Sequence, residues 1–161
     1  MKQKAKPVAA ADAEKELDEM IAKFDERVSA LIRSGRKILR KRLPTANEMV
    51  YDNYNFFVIG YCTSERPSDC ILSLTANAKG IGISFYYGST LPDPKGILEG
   101  SGNQNRFVRL AAAADLAKPE VDALIAAAVE QAKTPLPSSG KGHLIIRSVS
   151  AKQRPRREAA N

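Results

Sequence analysis

Cys70-Ile-Leu-Ser-Leu-Thr-Ala-Asn-Ala-Lys-Gly-Ile-Gly-Ile-Ser-Phe-Tyr-Tyr87 reads as two strands joined by a short turn. Ile81, Ile83 and Phe85 alternate with Gly82, Ser84 and Tyr86, the period of a strand buried on one face and lighter on the other. Ala76-Asn-Ala-Lys79 supplies the turn. Upstream, Glu48-Met-Val-Tyr-Asp-Asn-Tyr-Asn55 and Phe56-Phe-Val-Ile-Gly-Tyr61 are further β-branched and aromatic runs, and Arg66-Pro-Ser-Asp69 separates them from Cys70. Strand-like runs punctuated by turn formers predict an antiparallel meander.

Ahead of the meander, Leu17, Met20, Ile21, Phe24, Val28, Leu31, Ile32, Ile38, Leu39 and Leu43 recur at helical spacing. A single helix from Asp12 to Arg42 would run about 45 Å, longer than a domain of this size can cover, so a break is expected near Phe24-Asp25 or at Gly35. Acids at Asp12, Glu14, Glu16, Asp18 and Glu19 open this segment, and Arg36, Lys37, Arg40, Lys41 and Arg42 close it, an ordering that suits the helix dipole. Leu43-Pro-Thr45 ends it, because a residue before proline is pushed out of helical space.

Beyond the meander, residues 89–102 hold two prolines and three glycines and are expected to loop over a sheet edge. Arg106-Phe-Val-Arg-Leu110 returns as a strand. Pro119 sits at a first-turn position, and Val121, Leu124, Ile125, Ala128, Val129 and Ala132 mark one face of a helix that Thr134-Pro-Leu-Pro137 stops. The fold class is therefore α+β: a two-layer α/β sandwich, its antiparallel sheet of about five strands covered on one face by a long N-terminal and a C-terminal helix. Residues 1–11 read as a disordered lead-in, 12–137 as one domain, 138–149 as an added edge strand around Leu144-Ile-Ile-Arg-Ser-Val149, and 150–161 as a disordered basic tail.

The chain of 161 residues suffices for one domain with a core, and 43% apolar residues suit a globular protein. No apolar run approaches the ~20 residues that span a bilayer and no signal core follows the first lysines, so a cytoplasmic protein is expected. The net charge of +7 is uneven: residues 1–42 carry 12 cations against 7 acids, residues 43–137 carry 7 against 10, and residues 138–161 carry 6 against 1. Two cysteines, Cys62 and Cys70, flank a turn; on antiparallel strands they face one another, and a reduced pair is the default in the cytosol. With His143 as the one histidine, they do not make a four-ligand zinc set.

The most distinctive local chemistry is Leu98-Glu-Gly-Ser-Gly-Asn-Gln-Asn-Arg-Phe-Val-Arg-Leu110. Gly100 and Gly102 supply backbone freedom, Ser101 and Asn103 supply short hydrogen-bonding side chains, and successive amides in such a turn form an anion-binding concavity. Arg106 and Arg109 are placed to close on a phosphate or carboxylate, and Tyr54 and Tyr86, with Tyr51 and Tyr87, to line a concave surface beside them. The alternative for the segment is a structural turn. A second function class is nucleic-acid association through Arg36, Arg40 and Lys41 at the helix end and Lys152, Arg154, Arg156 and Arg157 in the tail, although neither interleaves aromatics for base stacking. No nucleophile or acid–base pair is legible beside His143, so the chain reads as a non-enzyme without a cofactor, a binding or chaperone-like domain for a small anion or a protein partner.

Glu48-Met-Val-Tyr-Asp-Asn-Tyr-Asn55 after a helix ending in Leu-Pro, Leu91-Pro-Asp-Pro-Lys-Gly-Ile-Leu-Glu-Gly-Ser-Gly102, Arg106-Phe-Val-Arg-Leu110 and Lys118-Pro-Glu-Val121 together resemble the YdhG-like family, bacterial domains of unknown function. The resemblance covers residues 24–135 and implies an α/β sandwich without implying a reaction. One branch of that family is regarded as frataxin-like, which implies iron handling by exposed carboxylates of the first helix and an adjoining strand. The corresponding acids here are Glu14, Asp18, Asp25, Glu48 and Asp52, with lysines and arginines interleaved among them.

Overall fold

Asp25 is where the long N-terminal segment breaks. Its carboxylate accepts a hydrogen bond from the Val28 backbone N–H at 2.8 Å, capping a new helix. In the computed structural model, which describes residues 10–159, α1 spans Ala10–Ile21 and α2 spans Glu26–Arg42. Of the two expected break points, the one at Phe24-Asp25 is used. Gly35 stays inside α2, where a Cβ would stand 3.3 Å from the methyls of Leu74, so it is a place of close helix–sheet approach. Only the last two residues of the expected lead-in over 1–11 are described, and they open α1.

Five antiparallel-paired strands follow: β1 (Asn47–Asp52), β2 (Phe57–Cys62), β3 (Cys70–Asn77), β4 (Gly80–Phe85) and β5 (Arg106–Leu110). A helix, α3 (Pro119–Gln131), and a last strand, β6 (Leu144–Val149), complete the order. The sheet therefore has six strands, ordered β5-β4-β3-β2-β1-β6, and it is mixed rather than purely antiparallel because β6 pairs parallel with β1. A helix and a long connection precede β6, so no hairpin fixes its direction. Gly142 allows the approach: a Cβ there would run into the Ala46 carbonyl, and its N–H donates to Pro44 O at 3.0 Å.

Register explains which strand residues reach the helices. Val50, Ile59, Leu74, Ile83 and Val108 stand opposite one another in successive strands, as do Asp52, Phe57, Ala76, Ile81 and Leu110. The apolar members of these rows share one core with Leu17, Phe24, Ile32 and Leu39 of the N-terminal segment and with Val121, Leu124 and Ile125 of α3. The rows between them carry Tyr51, Val58, Thr75, Gly82 and Arg109, outside that core, as a period of two requires.

Two carboxylates sit inside the helix-facing rows and each is met by cations. Glu48, 4% exposed, receives two bonds from Arg36 at 2.9 and 3.0 Å and the Tyr61 hydroxyl at 2.9 Å, while Arg36 also forks onto Glu14 at 2.7 and 2.8 Å. Burial and the Glu48 charge hold Tyr61 far above the usual phenol range, so it stays a donor. Asp52, 1% exposed, takes Lys23 and Arg156 at 2.7 Å each. The residues read as an unsupported basic tail are thus packed on the domain as far as they are described. Ser150 N–H donates to Asp52 O and Arg154 N–H to Tyr54 O, both at 2.8 Å, extending the β1 edge with backbone bonds that no apolar pattern announces. No helix among the described residues is long and apolar enough to cross a membrane.

Candidate functional site

The residues singled out in the glycine turn and among the tyrosines do not converge. Arg106 and Arg109 are an odd number of positions apart on β5, so alternation sends them to opposite faces of the sheet. Arg106 pairs in register with buried Phe85, whereas Arg109 is exposed and lies 5.7 Å over the Phe107 ring. The Arg106 guanidinium donates to the carbonyls of Gly102 and Asn105 at 2.7 and 2.8 Å, so it closes its own loop. Glu99 and Phe107 exchange backbone bonds across the base of that loop, and Gly100 at φ +114° makes the bend; Ser101 and Asn103 stand exposed on it. Tyr54 lies in the β1–β2 turn, 50% exposed, under the Arg154 guanidinium. Tyr86 follows β4 at the opposite end of the sheet, edge-on to Tyr87.

The basic clusters are largely occupied as well. Arg36 and Arg40 face Glu14 and Glu48, Arg156 is buried on Asp52, Arg154 holds Asn55, and Arg157 donates to the Lys23 carbonyl. Lys41 and Lys152 are exposed. The acids that the family resemblance brings forward are also engaged: Asp18 pairs with Arg33, Asp25 caps α2, and Glu14, Glu48 and Asp52 are bound as described. Among the described residues no group of three or more His, Cys, Asp or Glu side chains is placed to hold a metal ion. His143 is exposed at the β6 edge; its carbonyl accepts from Glu48 N–H and its N–H donates to Asn47 Oδ1.

A cavity of about 270 Å³ lies instead where β2 ends, β3 begins, β4 ends and α3 stops. Its apolar wall is Ile71, Ala128 and Ala132, and Ile71 reaches it because β3 carries an extra residue there, Tyr61 facing Leu72 while Cys62 faces Cys70. Thr63, Asp69, Tyr87, Thr90 and Gln131 supply polar groups around it. Hydrogen bonds fix these walls to one another: Tyr87 Oη donates to Ser68 O at 2.9 Å, Thr90 Oγ1 to Gln131 Oε1 at 2.9 Å, and Gln131 Nε2 to Tyr87 O at 3.1 Å. The cavity shape is therefore set by the fold and not by a loose loop.

One group in that wall has no partner. Thr63 is 6% exposed, and its Oγ1 meets no hydrogen-bonding atom of the protein. Such a group costs roughly 1–3 kcal/mol when left unpaired, so its presence calls for a reason. Asp69, whose carbonyl accepts from Thr63 N–H at 3.1 Å, is held below the usual carboxylate range by the Ser64 hydroxyl first and by Arg66. The last turn of α3 presents the negative end of its dipole here, with Gln131 and Ala132 lining the cavity. Lys133 stands at the rim.

No family model, no curated protein and no solved structure matches this chain. The likeness to YdhG-like domains rests on the quoted motifs alone, and the chemistry of the cavity has to be argued from its own atoms. Of its lining, the sequence marks Tyr87 as a candidate ligand contact and Cys70 as a thiol, and Ala128 and Ala132 as a helix face. Thr63 carries no sequence signal, because one hydroxyl after a strand is ordinary in a turn.

Proposed function

We propose that this chain is a binding domain for a small, mostly apolar molecule that carries one hydrogen-bonding head, held in the cavity between the β2–β3 turn and the end of α3. The observation that carries this reading is a preformed cavity with an apolar wall and exposed hydrogen-bonding side chains at its edge. An apolar body would rest on Ile71, Ala128 and Ala132, and the head would pair with the side chains of Thr90 and Gln131. The α3 carbonyl end faces the cavity, Asp69 is paired with Arg66 and Lys133 stands at the rim, a mixed setting that suits a hydrogen-bonding head such as an alcohol, an amide or an amine. The polar groups supplied are hydroxyls, an amide and a carboxylate already facing Ser64 and Arg66, a set suited to holding a molecule rather than transforming it.

A thermal-shift panel of small alcohols, amides and amines with apolar bodies tests the reading. Members that fit raise the midpoint of the wild-type protein in a concentration-dependent way, and Gln131→Ala abolishes that rise. A panel in which no member stabilises the wild type, or in which Gln131→Ala responds as the wild type does, contradicts it.

A further inference from the structure

The β2–β3 turn brings the chain's two cysteines together in a particular way. Cys62 and Cys70 are register partners across the antiparallel pair, and the Thr63 N–H donates to Asp69 O at 3.1 Å just outside them. That bond joins the residue after Cys62 to the residue before Cys70, which makes the two cysteines a non-hydrogen-bonded pair. In such pairs the Cα atoms approach to about 4.5 Å, inside the window a disulfide accepts. The two thiols are free in this structure.

They are not equivalent. Cys62 is 1% exposed, whereas Cys70 is half-buried and its sulfur lies 3.5 Å from Ser73 Oγ. The Cys70 Sγ also stands against Gly60, where a Cβ would be 3.2 Å away, so the glycine leaves room for the sulfur. We propose that Cys62 and Cys70 are a peroxide-oxidisable dithiol, with Cys70 the attacking and Cys62 the resolving sulfur.

The greater burial of Cys62 and the Ser73 hydroxyl beside the Cys70 sulfur support this division. The nearness of the two thiols, the largest influence on both, raises Cys62 together with burial and lowers Cys70 in spite of burial. The thiolate is the nucleophile in such chemistry. Cys70 attacks one oxygen of hydrogen peroxide, the O–O bond breaks, and hydroxide leaves and takes a proton, giving a Cys70 sulfenic acid and water. Cys62 then attacks the sulfenic sulfur; the S–O bond breaks and the departing hydroxide takes the Cys62 proton as a second water. Two thiols lose two electrons and two protons, and one peroxide becomes two waters. Hydrogen peroxide suits the site because Cys70 is half-buried and lines the cavity, which admits a small oxidant more readily than a bulky disulfide. The proposal does not depend on what the cavity binds.

The test is intact mass and thiol counting on the reduced full chain after addition of hydrogen peroxide, with alkylation under denaturing conditions. The expected result is a monomer lighter by two hydrogens that has lost both alkylatable thiols at once and regains them with dithiothreitol. Dimedone added during oxidation should label Cys70 in Cys62→Ala, and peptide mapping of dimedone-trapped wild-type protein reads the same order if that variant does not fold. Survival of both thiols at a dose that oxidises free cysteine overturns the proposal. So do oxygen addition without loss of two hydrogens, disulfides found only between chains, and labelling of Cys62 in place of Cys70.

Discussion

Arg156 donates to the Asp52 carboxylate at 2.7 Å from a position 104 residues further along the chain, and both side chains are at most 3% exposed. The guanidinium also lies 5.8 Å over the Phe24 ring, the aromatic that fills the turn between the first two helices. The C-terminal segment is thus part of the folded domain. Removing Arg156 leaves the buried Asp52 carboxylate with Lys23 as its one remaining cation, so Arg156→Ala should lower unfolding free energy by about 3 kcal/mol in urea titration. Deleting residues 150–161 should cost at least as much; a truncated chain with wild-type stability would show that the clamp is idle.

The same carboxylate sets an acid limit. Burial disfavours the Asp52 charge, but hydrogen bonds from Lys23, Arg156 and Gln153 outweigh it and hold the group below its ordinary range. Glu14 is likewise lowered, chiefly by its hydrogen bond to Arg36. For a group whose folded value lies below its unfolded one, the stabilisation is fully present above the unfolded value and is lost as pH falls through the folded one. Melting temperature should therefore fall as pH drops below about 4, the unfolded carboxylate range. Asp52→Asn should melt lower than the wild type at neutral pH and show a shallower acid decline.

Glu48 is held between two kinds of donor, and the weaker can be removed alone. Tyr61→Phe deletes one charge-assisted hydrogen bond and leaves Arg36 in place, so a loss of about 1.5–3 kcal/mol is expected by denaturant unfolding. Glu48→Ala leaves the largely buried Arg36 with Glu14 alone and should cost more than Tyr61→Phe.

Gly142 decides whether β6 can lie beside β1. A methyl group there meets the Ala46 carbonyl, so Gly142→Ala should destabilise by about 2 kcal/mol and speed amide exchange at Ile145 and Ile146 before the rest of the sheet. Uniform exchange rates across β1 and β6 in the variant would contradict this account of the edge.

Thr63→Val should stabilise the fold. Deleting an unpaired buried hydroxyl without changing shape should raise unfolding free energy by about 1 kcal/mol in denaturant titration, and a loss of stability would contradict it.

Much of the fold is legible in the chain because its elements carry their own periodicity. Ile81, Ile83 and Phe85 declare a strand, and Val121, Leu124, Ile125 and Ala128 a helix face, and each is buried in the structure. Asp25 before Glu26 is a cap signal that chooses between the two break points of the N-terminal segment. The parallel pairing of β6 and the docking of residues 150–159 are not legible. They depend on backbone bonds and buried ion pairs between segments far apart in sequence, which leave no period. The separation of Arg106 from Arg109 is readable from strand parity alone. The cavity is the least visible feature, since its walls come from the β2–β3 turn, the end of β4 and the end of α3.

The central claim, that the cavity at the end of α3 is the binding site, is tested most directly by amide chemical-shift mapping with a small aliphatic alcohol or amide that stabilises the protein. Shifts confined to Thr63, Ile71, Tyr87 and Gln131, and absent in Gln131→Ala, are the predicted result. Shifts centred on Gly100–Arg106 or on the Arg109 face, with Thr63 and Gln131 unmoved, would contradict it.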